Sequence, residues 1–262
     1  MSTTYLAHLV RHQLRYDWKT FWRSPSTIFF AFVLPIMFLV IFVTVFGNQR
    51  MELANGQLVR GSTYYVPGIV TLGVVQTTFT NLAVSLTASR ERGLLKRLRT
   101  TPPPTWTFMA GRIITSAAAA ILLVVVLVAM GRVVYGVALP TTTIAAGLLA
   151  LLVGTFTFSA LAFAVSTAIP SQDASVPVTN AITLPLYFIS GIFIPQELIP
   201  DRVREVAQVF PVKRLYDALL TVFDPATSGA GIELADLGIV AAWGVAAAIV
   251  GTTAFRWTPH TG

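Results

Sequence analysis

Apolar residues in this chain fall in long uncharged runs, near residues 27–47, 66–88, 113–131, 143–168, 174–194 and 236–255. A helix rises about 1.5 Å per residue, so a run of roughly 20 residues matches the hydrocarbon core of a bilayer, about 30 Å thick. The pattern predicts an all-α integral membrane protein with six transmembrane helices. Ser24 followed by Pro25 reads as an N-cap with proline in the first turn, which starts the first span. Pro35, Pro67 and Pro185 lie within or at the starts of spans, where the missing backbone donor predicts kinks or re-entry points.

The segments between the runs have their own periodicity. In residues 1–26, Tyr5, Leu6, Leu9, Val10, Leu14, Trp18, Phe21 and Trp22 recur at three- and four-residue steps. His8, Arg11, His12, Arg15 and Lys19 fill the opposite face, the pattern of an N-terminal interfacial helix. In residues 195–235, two short helical patterns bounded by proline or glycine predict outer re-entrant helices between spans five and six, packed at or dipping into the outer leaflet. Residues 89–112 form a basic island with Arg90, Arg92, Lys96, Arg97, Arg99 and Arg112 against the single acid Glu91. Leu94, Leu95 and Leu98 share one side of an amphipathic helix there, and Pro102, Pro103 and Pro104 stop it. Trp106 then stands where an interfacial aromatic would anchor re-entry.

Composition sharpens the reading. Of 262 residues, 55% are hydrophobic and 11% charged, against about 25% charged in soluble domains. The formal net charge is +7, but the basic residues cluster at span ends and form no continuous stripe for nucleic acid. With the N-terminus inside, eleven basic residues face the cytoplasm, while the short external loops carry only Arg50, Arg60 and Arg132. This places both termini in the cytoplasm. The absence of cysteine excludes disulfides, thiolate metal sites and cysteine nucleophiles. Fifteen arginines against three lysines fit a high-GC bacterial source.

The missing chemistry narrows function. No Asp, Glu, Lys, Arg or His lies in the interior of the six runs, which disfavours a carrier driven by protons. His8, His12 and His260 all lie in the terminal segments, so no His-based intramembrane catalyst is visible. No Gly-Lys dipeptide occurs, so there is no phosphate-binding P-loop. What remains is mild polarity: Gly73, Thr77, Asn81 and Ser85 repeat every four residues beside Gln76 and Thr80, and Asn180, Thr183, Tyr187 and Ser190 form a second stripe. These stripes either line a weakly polar conduit or serve close helix packing.

The stretch Glu91-Arg92-Gly93-Leu94-Leu95-Lys96-Arg97-Leu98-Arg99-Thr100-Thr101-Pro102, with Trp106 and Gly111-Arg112 after it, resembles the cytoplasmic loop of ABC-2 type permeases, the membrane subunits of a class of ATP-binding-cassette exporters. A second match is Leu184-Pro185-Leu186-Tyr187-Phe188-Ile189-Ser190-Gly191-Ile192-Phe193-Ile194-Pro195, then Leu198-Ile199-Pro200 and Phe210-Pro211. Phe210 stands where such proteins often have Asn. Within the family the chain is most similar to daunorubicin-resistance-like drug and lipid exporters. The resemblance covers nearly the whole chain and implies one transmembrane domain over residues 1–262.

It further implies a non-catalytic permease subunit, not an enzyme. A separate chain would hydrolyse ATP and drive a drug, antibiotic or lipid outward. Two cytoplasmic ATPase subunits, holding ATP and Mg that this chain does not bind, would partner it and a second permease copy, as homo- or heterodimer. The basic island would be the coupling helix, with Glu91, Arg92, Gly93, Leu95, Lys96, Arg97 and Leu98 docking on an ATPase. Gln76, Thr77, Thr80, Asn81, Thr183 and Tyr187 would line the substrate path. The implied location is the plasma (inner) membrane, with membrane lipid as surroundings and no nucleic acid. The other reading is a non-transporting scaffold or sensor whose basic loop binds a cytoplasmic regulator or anionic lipid.

Overall fold

A computed structural model describes residues 3–52, 58–93 and 105–254, with side chains left undescribed at 3–10, 12, 52, 105–109 and 254. Nine helices occur among the described residues: α1 Thr3–Trp22, α2 Pro25–Phe46, α3 Gly61–Glu91, α4 Thr105–Tyr135, α5 Ile144–Ser166, α6 Gln172–Ile189, α7 Asp201–Ala207, α8 Pro211–Phe223 and α9 Leu234–Ala254. A small antiparallel hairpin, β1 Arg50–Glu52 and β2 Leu58–Arg60, departs from the expected all-α fold, with Met51 opposite Val59.

The expected N-cap is present. Ser24 has extended backbone, and its hydroxyl accepts a bond from the Thr27 amide at 3.4 Å. Both α2 and α3 widen into a π-turn, at Phe29–Val33 and Gln76–Thr80. The first lies just ahead of Pro35, which cannot donate to the preceding turn. Pro67, Pro177 and Pro185 all lie inside helices.

Five helical stretches are long and apolar enough to cross a membrane: α2, α3, α4 from Ala110, α5, and α9 to Thr253. The chain is a multi-pass membrane protein. The run at 174–194 becomes the 18-residue α6, which carries Gln172, Asp173 and Asn180 and is not one of the five. The helix at 66–88 begins earlier, at Gly61, and the one at 113–131 spans 105–135.

Apolar side chains fill the core and also cover the outer faces, while the polar groups of α3 lie inside. Val40, Ile41, Val125, Leu152, Phe156 and Ile249 are exposed on the outer faces of α2, α4, α5 and α9. In water such surface would be costly; against lipid it is the expected face. The centre of the bundle is α3, nearly every residue of which is buried, including Thr71, Thr77, Thr78, Thr80 and Thr87. Thr71, Thr78 and Thr87 satisfy their hydroxyls on the carbonyls of Pro67, Val74 and Ala83, one turn back.

The two short helical patterns of 195–235 become α7 and α8, preceded by a 3₁₀ turn at Gln196–Leu198. α8 is deeply embedded, packing on α3, α5, α6 and α9. Its buried Lys213 donates to Asp217 at 2.5 Å and lies 5.6 Å from the centroid of the Tyr216 ring. Burial pushes the Asp217 carboxyl above its ordinary value, with the Lys213 charge opposing that rise. Gln196 donates to the same carboxylate at 3.3 Å, and its amide donates to the Tyr64 hydroxyl, which donates in turn to the Gly191 carbonyl. Gly191 has φ +89, and a Cβ there would meet Gln196 Cγ at 2.8 Å. A glycine is therefore required where the chain reverses after α6. Phe210 stacks on Trp243 of α9 with ring centroids 6.3 Å apart, and the Trp243 indole donates to the Val209 carbonyl.

α5 and α9 form an extensive helix pair. Thr157 donates across it to the Val240 carbonyl at 2.9 Å, and a Cβ on Gly244 would meet Thr157 Oγ1 at 2.6 Å. Small residues permit such an approach. Gly244→Val is therefore expected to destabilise the protein by about 1–3 kcal/mol through overpacking. Gly238→Ala, where an added Cβ meets nothing within 4 Å, is expected to be neutral or stabilising in the same thermal unfolding series in detergent.

Candidate functional site: a basic cavity where α1 to α4 meet

The ends of α1, α3 and α4 and the start of α2 enclose a cavity of 530 Å³, with Asp17, Arg23, Asn81, Arg92, Arg112 and Thr115 among its walls. Its geometry follows from a polar clamp that sequence patterning missed. α1 packs along α4, bringing the buried Asp17 within 3.4 Å of Arg112 Nε. Gln13 donates to Asp17 at 3.0 Å from the preceding turn. Arg112 also donates to Ser85, and to Ser89 at 3.0 Å, both on α3. One guanidinium thus ties three helices at one end of the bundle. The available signal was Asp17 itself, the one acid of α1, four residues after Gln13 and just outside a cationic face.

Arg90 makes a second tie of this kind. Although it belongs to the basic island, it is 3% exposed and donates to the carbonyls of Ser166, at 2.8 Å, and Ile169. These carbonyls lie at and beyond the C-terminal end of α5, where a cation is favoured. The last turn of α3 is thereby attached to the α5–α6 corner. Arg90 is thus a structural cation, distinct from the exposed Glu91 and Arg92 that follow it. Gly93 ends α3 with φ +67, its amide donating to the Arg90 carbonyl at 3.0 Å. That left-handed turn ends the helix. Arg92 borders the cavity. Leu95, Lys96, Arg97 and Leu98, expected in the coupling surface, lie outside the described residues.

The expected path residues divide into two kinds. Gln76, Thr77 and Thr80 belong to the π-turn of α3, and Asn81 follows directly. Thr77 and Thr80 hydroxyls and the Asn81 amide nitrogen are buried with no hydrogen-bond partner among the described residues. A π-turn offsets the helical register and is frequent at functional sites. Asn81 faces the cavity. In α6, by contrast, Thr183 donates to the Thr179 carbonyl at 3.0 Å, and Thr179 to that of Ser175. Tyr187 is buried with its ring 5.9 Å from that of Phe193. The α6 threonines are satisfied by their own helix, whereas the Tyr187 hydroxyl, like the Thr77 and Thr80 hydroxyls and the Asn81 amide nitrogen of α3, is buried with no partner among the described residues. α6 packs on the π-turn and the last part of α3, so the two stripes belong to adjacent helices. No group of His, Cys, Asp and Glu able to hold a metal is present among the described residues.

The family model of the ABC-2 type transporter matches residues 8–223, a span that holds the cavity, the basic island and both polar stripes. No curated protein matches the chain.

Burial pushes the Asp17 carboxyl above its ordinary 3.8, an effect that the Arg112 charge and the Gln13 bond only partly offset. The folded state therefore holds this proton to a higher pH than the unfolded state does. Stability from this group is present at low pH and lost as pH rises from 3.8 through the raised value. Unfolding across that interval is expected to show wild type losing stability with rising pH relative to Asp17→Asn. At neutral pH, Asp17→Leu leaves Arg112 without its carboxylate and is expected to cost about 3–5 kcal/mol, whereas Asp17→Leu with Arg112→Met costs less.

Proposed function

The chain belongs to the ABC-2 type transporter family, and from that premise we propose that it is the permease subunit of an ATP-binding-cassette exporter that moves an amphipathic substrate outward. Proteins of this family supply the membrane component and work with ATP-binding subunits. The observation that carries the reading is the family match across residues 8–223. The distribution of charge supports it. Every ionisable residue of the five candidate spans lies toward a helix end, as Arg90, Arg112, Arg132 and Asp236 do. Such a bundle has no midplane group to couple to a proton gradient. Energy then enters from a partner.

In this reading α6 is the sixth span, its Val176, Ile182, Leu184 and Phe188 facing lipid. The basic island is cytoplasmic, and its residues Leu95, Lys96, Arg97 and Leu98 form, with Glu91, Arg92 and Gly93, the surface that docks on an ATPase. Two ATPases and two permease subunits make the working unit. Closure of the ATPases on ATP carries the loops inward together, and the bundle exchanges one access state for the other. The Gly93 turn defines where the moving loop begins. Arg90 transmits its displacement to the α5–α6 corner through the two carbonyls that it holds. The unpartnered groups of the α3 π-turn offer substrate the hydrogen bonds that the bundle leaves open.

Lys96→Glu with Arg97→Glu tests the docking role, since reversed charge at a complementary interface costs on the order of several kcal/mol. The chain is expected to insert at unchanged yield while the co-purifying ATPase and its stimulated hydrolysis are lost; unchanged recovery and stimulation refute the assignment. Thr77→Val with Asn81→Leu is expected to change which substrates stimulate hydrolysis. A variant that changes thermal stability alone assigns these residues to packing.

A further inference from the structure

Three guanidiniums and one carboxylate border the cavity between α1, α2, α3 and α4. The carboxylate, Asp17, is already matched by Arg112. Arg23 and Arg92 are exposed at the rim and make no ion pair among the described residues. Arg92 lies close enough to Arg112 for the two charges to oppose each other. Glu91 and Asp173, the acids next in sequence to wall residues, are exposed and form no part of the wall. The cavity therefore has an uncompensated positive potential, which an anion would relieve.

Its neutral walls carry donors as well. Thr115 is 6% exposed, and its hydroxyl has no partner among the described residues; neither has the Asn81 amide nitrogen. Both residues border the cavity, together with Ser24, Ser26 and Thr27 in the first turn of the 22-residue α2. The positive end of that helix adds to the guanidinium field. At 530 Å³ the space falls within the usual range of small-molecule sites, about 300–1,000 Å³.

Depth decides between a soluble anion and a lipid. Tyr16, Trp18 and Trp22 are exposed on α1, the helix that supplies Asp17, Thr20 and Phe21 to the wall. Amphipathic aromatic rings concentrate at head-group level. Phe29 and Val33, exposed on the first turns of α2, continue the apolar surface away from the cavity mouth. Ring-bearing and aliphatic surface thus border a basic opening, the arrangement for an amphiphile whose tail stays in the leaflet while its head enters.

We propose that this cavity is a head-group site for an anionic phospholipid-type amphiphile, its phosphate held by Arg23 and Arg92 at the rim and by Thr115 and Asn81 within. The location in the inner leaflet rests on the permease reading and its topology; the charge preference does not. Zwitterionic lipids gain less there because their own cation meets the rim arginines, and cationic amphiphiles are repelled.

Native mass spectrometry of the full chain, titrated with phosphatidylglycerol or phosphatidylcholine in detergent, reads the preference directly. Each basic residue at an anionic surface is worth about 1 kcal/mol, so each arginine removed is expected to reduce the phosphatidylglycerol preference about fivefold. Arg23→Gln with Arg92→Gln is expected to abolish most of it at an unchanged unfolding temperature, while Arg50→Gln with Arg60→Gln on the hairpin leaves it intact. Equal binding of both lipids by wild type overturns the proposal, as does a preference that survives loss of both rim arginines. Glycerol phosphate that displaces phosphatidylglycerol at equal concentration also overturns it, because the site would then take a soluble phosphate. No ATPase is present in this measurement. A wild type with no phosphatidylglycerol preference but intact ATPase coupling overturns the site alone; a preference without ATPase coupling overturns the permease reading alone.

Discussion

The architecture depends on burying one polar helix on all sides in a surrounding that has no water to offer. α3 is enclosed by α2, α4, α5, α6 and α8, and Thr71, Thr77, Thr78, Thr80 and Thr87 are buried within it. Each hydroxyl must be bonded inside the protein or held open for something that visits. Thr71, Thr78 and Thr87 return to their own helix. Thr77 and Thr80 do not, and they lie where the helix widens into its π-turn. The outer helices need only one compatible face each, which is why α2, α4 and α9 leave so much apolar surface outward.

Charge obeys the same constraint at the two ends of the bundle. At one end Arg112 reaches Asp17, Ser85 and Ser89, and Arg90 reaches two carbonyls at the α5–α6 corner. At the other, Lys213, Asp217, Gln196 and Tyr64 form one connected network. An Arg guanidinium offers five donors in a fixed fork, so it can join several elements where a lysine would satisfy fewer. Both ends are therefore fixed by side chains next to spans that hold almost no ionisable groups in their middles. Shear between the helices must break or carry these ties.

Helix positions were legible because length and hydropathy dictate them: a helix starts at Ser24-Pro25, α1 covers the first periodic segment, and α7 and α8 fall on the two short patterns of 195–235. α6 is harder, because Asp173, Asn180 and two prolines lower its apolarity below that of its neighbours. The hairpin at Arg50–Arg60 was not legible, since three-residue strands have too short a pattern to register. The site was half legible. Asn81 and Arg92 could be named from spacing and charge, but their shared cavity depends on how α1 lies against α4. Asp17 sets that contact, and nothing local to its sequence announces a partner 95 residues away. Arg90 illustrates the same limit: within a run of basic residues it reads as one more topogenic charge, yet it is buried.

That difference bears on how a basic loop can act on a membrane domain. A loop attached only through flexible backbone would move without deforming the bundle. Here the last turn of α3 is fixed sideways to the corner between α5 and α6, and the glycine turn follows three residues later. Force applied beyond Gly93 therefore reaches two hairpins of the bundle, α3–α4 through the chain and α5–α6 through the Arg90 bonds. The π-turn that carries the unsatisfied groups lies in the same α3, ten residues before Arg90 along a continuous helix. Since α3 is a single rod between the two, displacement at its end cannot leave those groups in place.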